Sequence, residues 1–146
     1  MRGPARPSGA RMGPPPGPAR RLVLFLAKLS FYLYALLWLI RPWRAESLSE
    51  VYELFYIGFL RLRREDVEVV RLSGRELVTR SRNPCPVLKL ALLLKLDTRY
   101  VCRYVSEPVS RYVVERLNPR LAFERNYGHI RPYSDSCEER IYWRGG

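Results

Sequence analysis

Residues 66–82 read DVEVVRLSGRELVTRSR, and this stretch decides the fold class. It holds two short runs rich in β-branched and alternating residues, separated by Ser73-Gly74, the pattern of a β-hairpin. A two-residue turn there makes partners of positions that sum to 147, so Arg71 faces Glu76, Val70 faces Leu77, Val69 faces Val78 and Glu65 faces Arg82. Opposite charges meet and apolar side chains meet, as cross-strand pairing requires.

Working outward, the chain toward its end predicts a second antiparallel pair, RLAFERN (120–126) and CEERIYW (137–143), joined by the long loop YGHIRPYSDS (127–136). Between the hairpins lie two helices. Proline suits a first helical turn, so one starts at the corner Asn83-Pro84-Cys85-Pro86 and continues through Leu96. The next begins after Asp97 as N-cap, runs from Thr98 to Leu117, and is kinked at Pro108.

Toward the N-terminus, Ser47-Leu48-Ser49-Glu50 has the spacing of a capping box and predicts a helix to about Arg64. Before it, residues 22–40 (LVLFLAKLSFYLYALLWLI) are apolar apart from Lys28, and arginines flank both ends. Nineteen such residues just suffice to cross a bilayer. The competing reading buries this helix in the domain or in a homodimer interface through residues 22–40. Residues 1–20 are rich in Pro, Gly and Arg, with little to bury, and predict a disordered arm. Met12 stands as a second initiator within it.

The expected class is therefore α+β. It comprises two N-terminal helices, two hairpins forming one antiparallel sheet, and a kinked helical pair between them. The expected organisation is an arm (1–20), an apolar membrane-associated or interface helix (21–44), and an α+β domain (45–146).

Charge is unevenly placed. Residues 1–44 carry eight basic side chains and no acid, whereas residues 45–146 carry 18 basic and 14 acidic ones. A nucleic-acid-binding domain would usually bear its own dense basic face, so that function is disfavoured for the folded part. A basic adaptor gripping nucleic acid or anionic lipid through its arm is the last-ranked alternative. Arginine outnumbers lysine 23 to 3, glutamine is absent, and only three asparagines occur, a composition that fits a heat-adapted source. Three cysteines argue against a disulfide scaffold and for an intracellular protein, cytoplasmic or on the cytoplasmic face of a membrane.

The chemistry-bearing residues cluster late, in the order Cys85, Cys102, His129, Cys137. Thiolates and imidazole hold soft metals, so these four are the candidate metal ligands, with zinc the metal such a set would take. The gaps of 17 and 35 residues between cysteines exclude a short chelating loop, and any shared site must be built by folding. Cys102 is expected to face the core. Cys85, at a helix start, meets backbone N–H groups that favour thiolate, making it the candidate nucleophile, with His129 or Asp135 as proton carrier. Arg131 and Tyr133 are further polar candidates on the same loop.

Several of these residues carry a resemblance. Cys85-Pro86, Cys102 in the following helix, Asn118-Pro119-Arg120-Leu121 leading into Phe123-Glu124-Arg125, and Asp135-x-Cys137 resemble the L-2-amino-thiazoline-4-carboxylic acid hydrolase-like family. The layout is also similar to vinyl-4-reductase and haem-NO-binding-type α+β domains, which are small-molecule sensors. It covers about residues 46–143. Ser134, not glycine, precedes Asp135, and Glu138-Glu139-Arg140 replaces the apolar residues of the pattern. The resemblance implies that the three cysteines surround a ligand pocket. The leading expectation is a small-molecule- or metal-binding module, membrane-associated through its apolar helix. The alternative is a cysteine- or metal-dependent hydrolase of a small cyclic amide-like substrate.

Overall fold

The computed structural model describes residues 16–145. The disordered-arm reading for residues 1–15 lies outside that range, and its last part is corrected: helix α1 (Pro18–Trp38) already begins within the expected arm, with Pro18 at its first turn. Helix α2 (Leu48–Val51) starts where the capping box places it. The Ser47 hydroxyl accepts from the Glu50 N–H at 3.2 Å, and the Glu50 carboxylate takes the Glu46 N–H at 3.3 Å. It runs on as a wider π-helical stretch, Tyr52–Phe59, and ends earlier than the sequence suggests. Arg61 then turns the chain in the left-handed region at φ 56°.

Strands β1 (Val67–Leu72), β2 (Glu76–Ser81), β3 (Leu121–Arg125) and β4 (Cys137–Trp143) form one antiparallel sheet in the order β1-β2-β4-β3. Both expected hairpins are present, but the first has a different register. Val67 faces Ser81, Val69 faces Thr79, Arg71 faces Val78 and Leu72 faces Leu77, with a bulge between Val69 and Arg71. The Ser73 hydroxyl accepts from the N–H groups of Arg75 and Glu76, both at 3.1 Å, which moves the turn one residue along to Gly74-Arg75. Arg71 still reaches Glu76, now diagonally at 3.5 Å, while Arg82 pairs with Glu68 and Asp135 instead of Glu65.

Alternation sorts the sheet's two faces. Leu77, Thr79, Glu139, Ile141, Leu121 and Phe123 are buried under the helices. The opposite face carries an ion-pair ladder in which Arg80 meets Glu138 at 3.0 Å and Arg140 meets Glu76 at 3.0 Å. Exposed pairs of this kind contribute little each, and they keep that face wet.

Helix α3 (Pro86–Leu93) follows the Cys85 corner. Helix α4 (Thr98–Val101), capped by Asp97, continues through a π-helical turn at Cys102–Ser106 into α5 (Glu107–Leu117). The expected kink is this widened turn. Pro108 lacks an N–H and its ring crowds the preceding carbonyls, so the Glu107 N–H reaches back five residues to the Cys102 carbonyl. At the far end of α5 the buried Asn118 side chain donates to the Ala45 carbonyl at 3.0 Å and ties α5 to the start of the domain.

Two apolar cores result. The larger joins Val51, Phe55, Tyr56 and Phe59 to Val109, Val113 and Leu117 and to the sheet. The smaller joins Leu24 of α1 to Ala91, Val101 and Val105. Helix α1 bridges both, and a cavity is left at the seam.

Candidate functional site

The cavity encloses about 610 Å³, in the range of small-molecule sites. Its walls come from α1 (Ala27, Phe31, Tyr34), the π-helical stretch (Tyr56, Phe59), α3 (Val87, Leu90) and the turn at Val105. Cys85, Cys102 and Cys137 all line it. Folding thus draws together three thiols that are far apart in sequence, and no disulfide joins them.

Each thiol arrives differently. Cys85 is the N-cap of α3 but makes no side-chain cap hydrogen bond, so the helix start holds it by backbone geometry alone. Cys102 is buried, and desolvation pushes its thiol up to about 11 despite the Arg125 guanidinium acting the other way. Cys137 opens β4 opposite Ser81, and its sulfur receives the Arg131 Nε–H at 3.3 Å. Arg131 also donates to the Asn83 carbonyl at 2.5 Å, which ties the 127–136 loop to the corner before Cys85.

The raised Cys102 pKa has a consequence for stability. In an unfolded chain the thiol ionises near 9.0, whereas the folded protein keeps the proton to about 11. The folded state therefore binds more protons in that window, and stability present below pH 9 is lost as pH rises through 11, by about 2–3 kcal/mol. Urea unfolding followed from pH 8 to 11 checks this: Cys102→Ala should flatten the alkaline decline, and an unchanged slope would refute it.

The cavity floor is a buried polar network. The Arg125 guanidinium donates to Glu139 Oε2 from Nε at 2.9 Å and to the Ser106 hydroxyl from Nη1 at 2.6 Å. Tyr56 donates to Glu139 Oε1 at 3.0 Å, and Thr79 donates to the Tyr56 hydroxyl at 2.9 Å. Burial, the largest single influence, acts to discharge Arg125, but the adjacent Glu139 carboxylate together with Cys102 and Tyr127 outweighs it and holds the guanidinium charged. Desolvation, then the nearby Glu139 charge, keeps the Tyr56 phenol well above its ordinary range.

His129 does not join the cysteines. Its Nε2 lies 2.8 Å from the Ser136 hydroxyl and 3.4 Å from Asp135, and it does not line the cavity. Its backbone closes the loop by accepting from the Glu138 N–H. Asp135 is exposed; the Ser136 hydroxyl, then Arg82, hold its carboxyl below the usual carboxylate range. Tyr133 stacks under Arg99 and donates to Asp97, away from the sulfurs.

Among the described residues no three His, Cys, Asp or Glu side chains are grouped to hold a metal ion, and of the expected ligands Cys85, Cys102 and Cys137 share the cavity while His129 stands outside it. The physical reason is that the loop spends its imidazole on Ser136 and Asp135, and a guanidinium sits on the Cys137 sulfur. Nor are Cys85, His129 and Asp135 assembled as nucleophile and base: His129 and Asp135 meet each other, outside the cavity that Cys85 faces.

Sequence reasoning passed over Arg125, Glu139 and Tyr56 as site residues. For Glu139 a signal existed, because it shares strand parity with Cys137 and Ile141 and so had to point inward. Comparison with family models, curated proteins and solved structures found no match.

Proposed function

We propose that this chain is a small-molecule-binding α+β module whose ligand is an apolar body ending in an anion. The observation that carries the reading is the charge of an otherwise hydrocarbon- and sulfur-lined cavity. Arg61, Arg125 and Arg131 line it against a single carboxylate, Glu139. Arg125 is committed to Glu139, whereas Arg131, held in place by Cys137 and Asn83, and Arg61 have no carboxylate partner among the described residues and keep charge to offer an anion. Arg61 adopts a left-handed conformation that costs a non-glycine residue roughly 1–2 kcal/mol, and that turn brings it to the cavity edge. Exposed Ser30, Tyr34 and Pro86 lie at the same boundary with solvent. Free thiols fit a reducing, intracellular setting.

A long-chain alkyl carboxylate and its methyl ester form the test pair, measured by displacement of a fluorescent apolar probe. The carboxylate should bind more tightly than the ester. Arg131→Gln and Arg61→Gln should each weaken the carboxylate by about tenfold and leave the ester unchanged. Circular dichroism melting confirms that the variants fold. Equal binding of acid and ester, or equal losses for both, would overturn the reading.

A further inference from the structure

We propose that α1 seats the protein in the plane of an anionic lipid surface, with its open apolar stripe in the acyl boundary and α3 as a second point of contact. The helix is 21 residues long and its most apolar 18-residue window has a mean hydropathy of 1.5, yet only 11% of that window is buried, so it is not a core helix. The open positions recur at helical spacing: Leu22, Leu26, Leu29, Leu33, Leu37 and Ile40, the last two 68% and 76% exposed. On α3, which shares the smaller core with α1, Leu92 and Leu93 are also exposed, Leu93 at 78%. An exposed apolar stripe of this kind marks an interaction site.

Geometry decides between spanning and lying flat. The opposite face of α1 touches the domain along its whole length. Leu24 joins the smaller core, Lys28 lies over the Tyr104 ring at 4.7 Å, Phe31 stacks on Phe59, Tyr32 meets Tyr112, and Trp38 meets Phe59. A helix so docked would carry α5 and its exposed charges, such as the Arg111–Glu107 pair, into the hydrocarbon if it crossed. Lying in the interface avoids that cost and satisfies the stripe.

Charge decides between lipid and a second copy. Arg20 and Arg21 at one end of the stripe, Arg41 at the other, Lys89 on α3 and Lys95 in the turn just after it are all exposed. Residues 16–45 contain no acid, and Arg44 is held by Glu46. A second copy would bring the same cations to the same rim, whereas anionic headgroups neutralise them.

Flotation of the full chain with vesicles tests the proposal. Binding should be at least about tenfold greater to phosphatidylcholine mixed with phosphatidylglycerol than to phosphatidylcholine alone, weaken in high salt, and be released by alkaline carbonate. The triple variant Leu26→Glu, Leu33→Glu, Leu37→Glu, altered only at exposed positions, should lose vesicle binding while keeping its melting curve and its affinity for the cavity probe. Carbonate-resistant retention would show a span and overturn the proposal. So would a dimer that the triple variant dissociates without any vesicle binding, and so would equal binding to both vesicle types. The cavity reading stands or falls separately, on the acid-and-ester comparison.

Discussion

Replacing Glu139 with alanine is expected to lower unfolding stability by about 3–5 kcal/mol, because it strands a buried guanidinium. Arg125 loses its only carboxylate partner among the described residues, and the Tyr56 hydroxyl loses its acceptor at the same stroke. Both side chains are almost wholly buried, so solvent can compensate them only in part. Chemical denaturation of the wild type, Glu139→Ala and the double variant Arg125→Met/Glu139→Leu separates burial from pairing. The double variant should recover most of the loss, since apolar side chains of similar volume carry no desolvation cost. If the single variant cost under about 1 kcal/mol, the network would have to be solvated and the floor of the cavity wrongly described. Should Glu139→Ala fail to fold, Glu139→Gln, which keeps an acceptor for Tyr56, provides a milder member of the same series.

Phe59→Ala should be similarly costly, about 3–5 kcal/mol, by the loss of a fully buried aromatic ring and the cavity left behind. Phe59 lies at the centre of an aromatic group: Phe31, Tyr34 and Trp38 of α1 approach it with ring centroids at 5.8, 5.0 and 5.2 Å, and Phe55 at 5.9 Å. The substitution therefore also frees α1 from the domain. Hydrogen exchange should show the α1 amides losing protection before those of the sheet. Leu37→Ala, on the open face of the same helix, should change stability by less than about 0.5 kcal/mol. Comparable losses from the two substitutions would mean that α1 is held by something other than this ring cluster.

The elements themselves were legible because their signals are local. The capping box at Ser47 and Glu50, the N-cap at Asp97, Pro86 opening α3 and the alternation of Cys137 through Trp143 each act within a few residues, and each element stands where its signal lies. The hairpin shows the limit. Its strands were readable from their composition, but its register turned on one serine hydroxyl taking two turn N–H groups, a choice that side-chain pairing rules do not see. The kink was similarly readable from Pro108, while the π-helical turn that absorbs it, with Cys102 at its start, was not.

The candidate site was half legible. The three sulfurs were expected around one pocket and do line one cavity. His129 was grouped with them by residue type, and the structure gives it to Ser136 and Asp135 instead. Arg125 and Glu139 were unmarked because a charged pair in a strand reads as solvated surface until the sheet's inner face is known.

Composition and short-range pattern alone thus determined an α+β chain with one antiparallel sheet, a greasy basic leader and free thiols, since propensity, capping and alternation are properties of neighbouring residues. Only tertiary packing decided that α1 lies against the domain with one side bare, that Arg125 and Glu139 neutralise each other in the interior, and that imidazole and sulfur part company. Those outcomes depend on which distant surfaces exclude water together, and no local stretch of the chain encodes that.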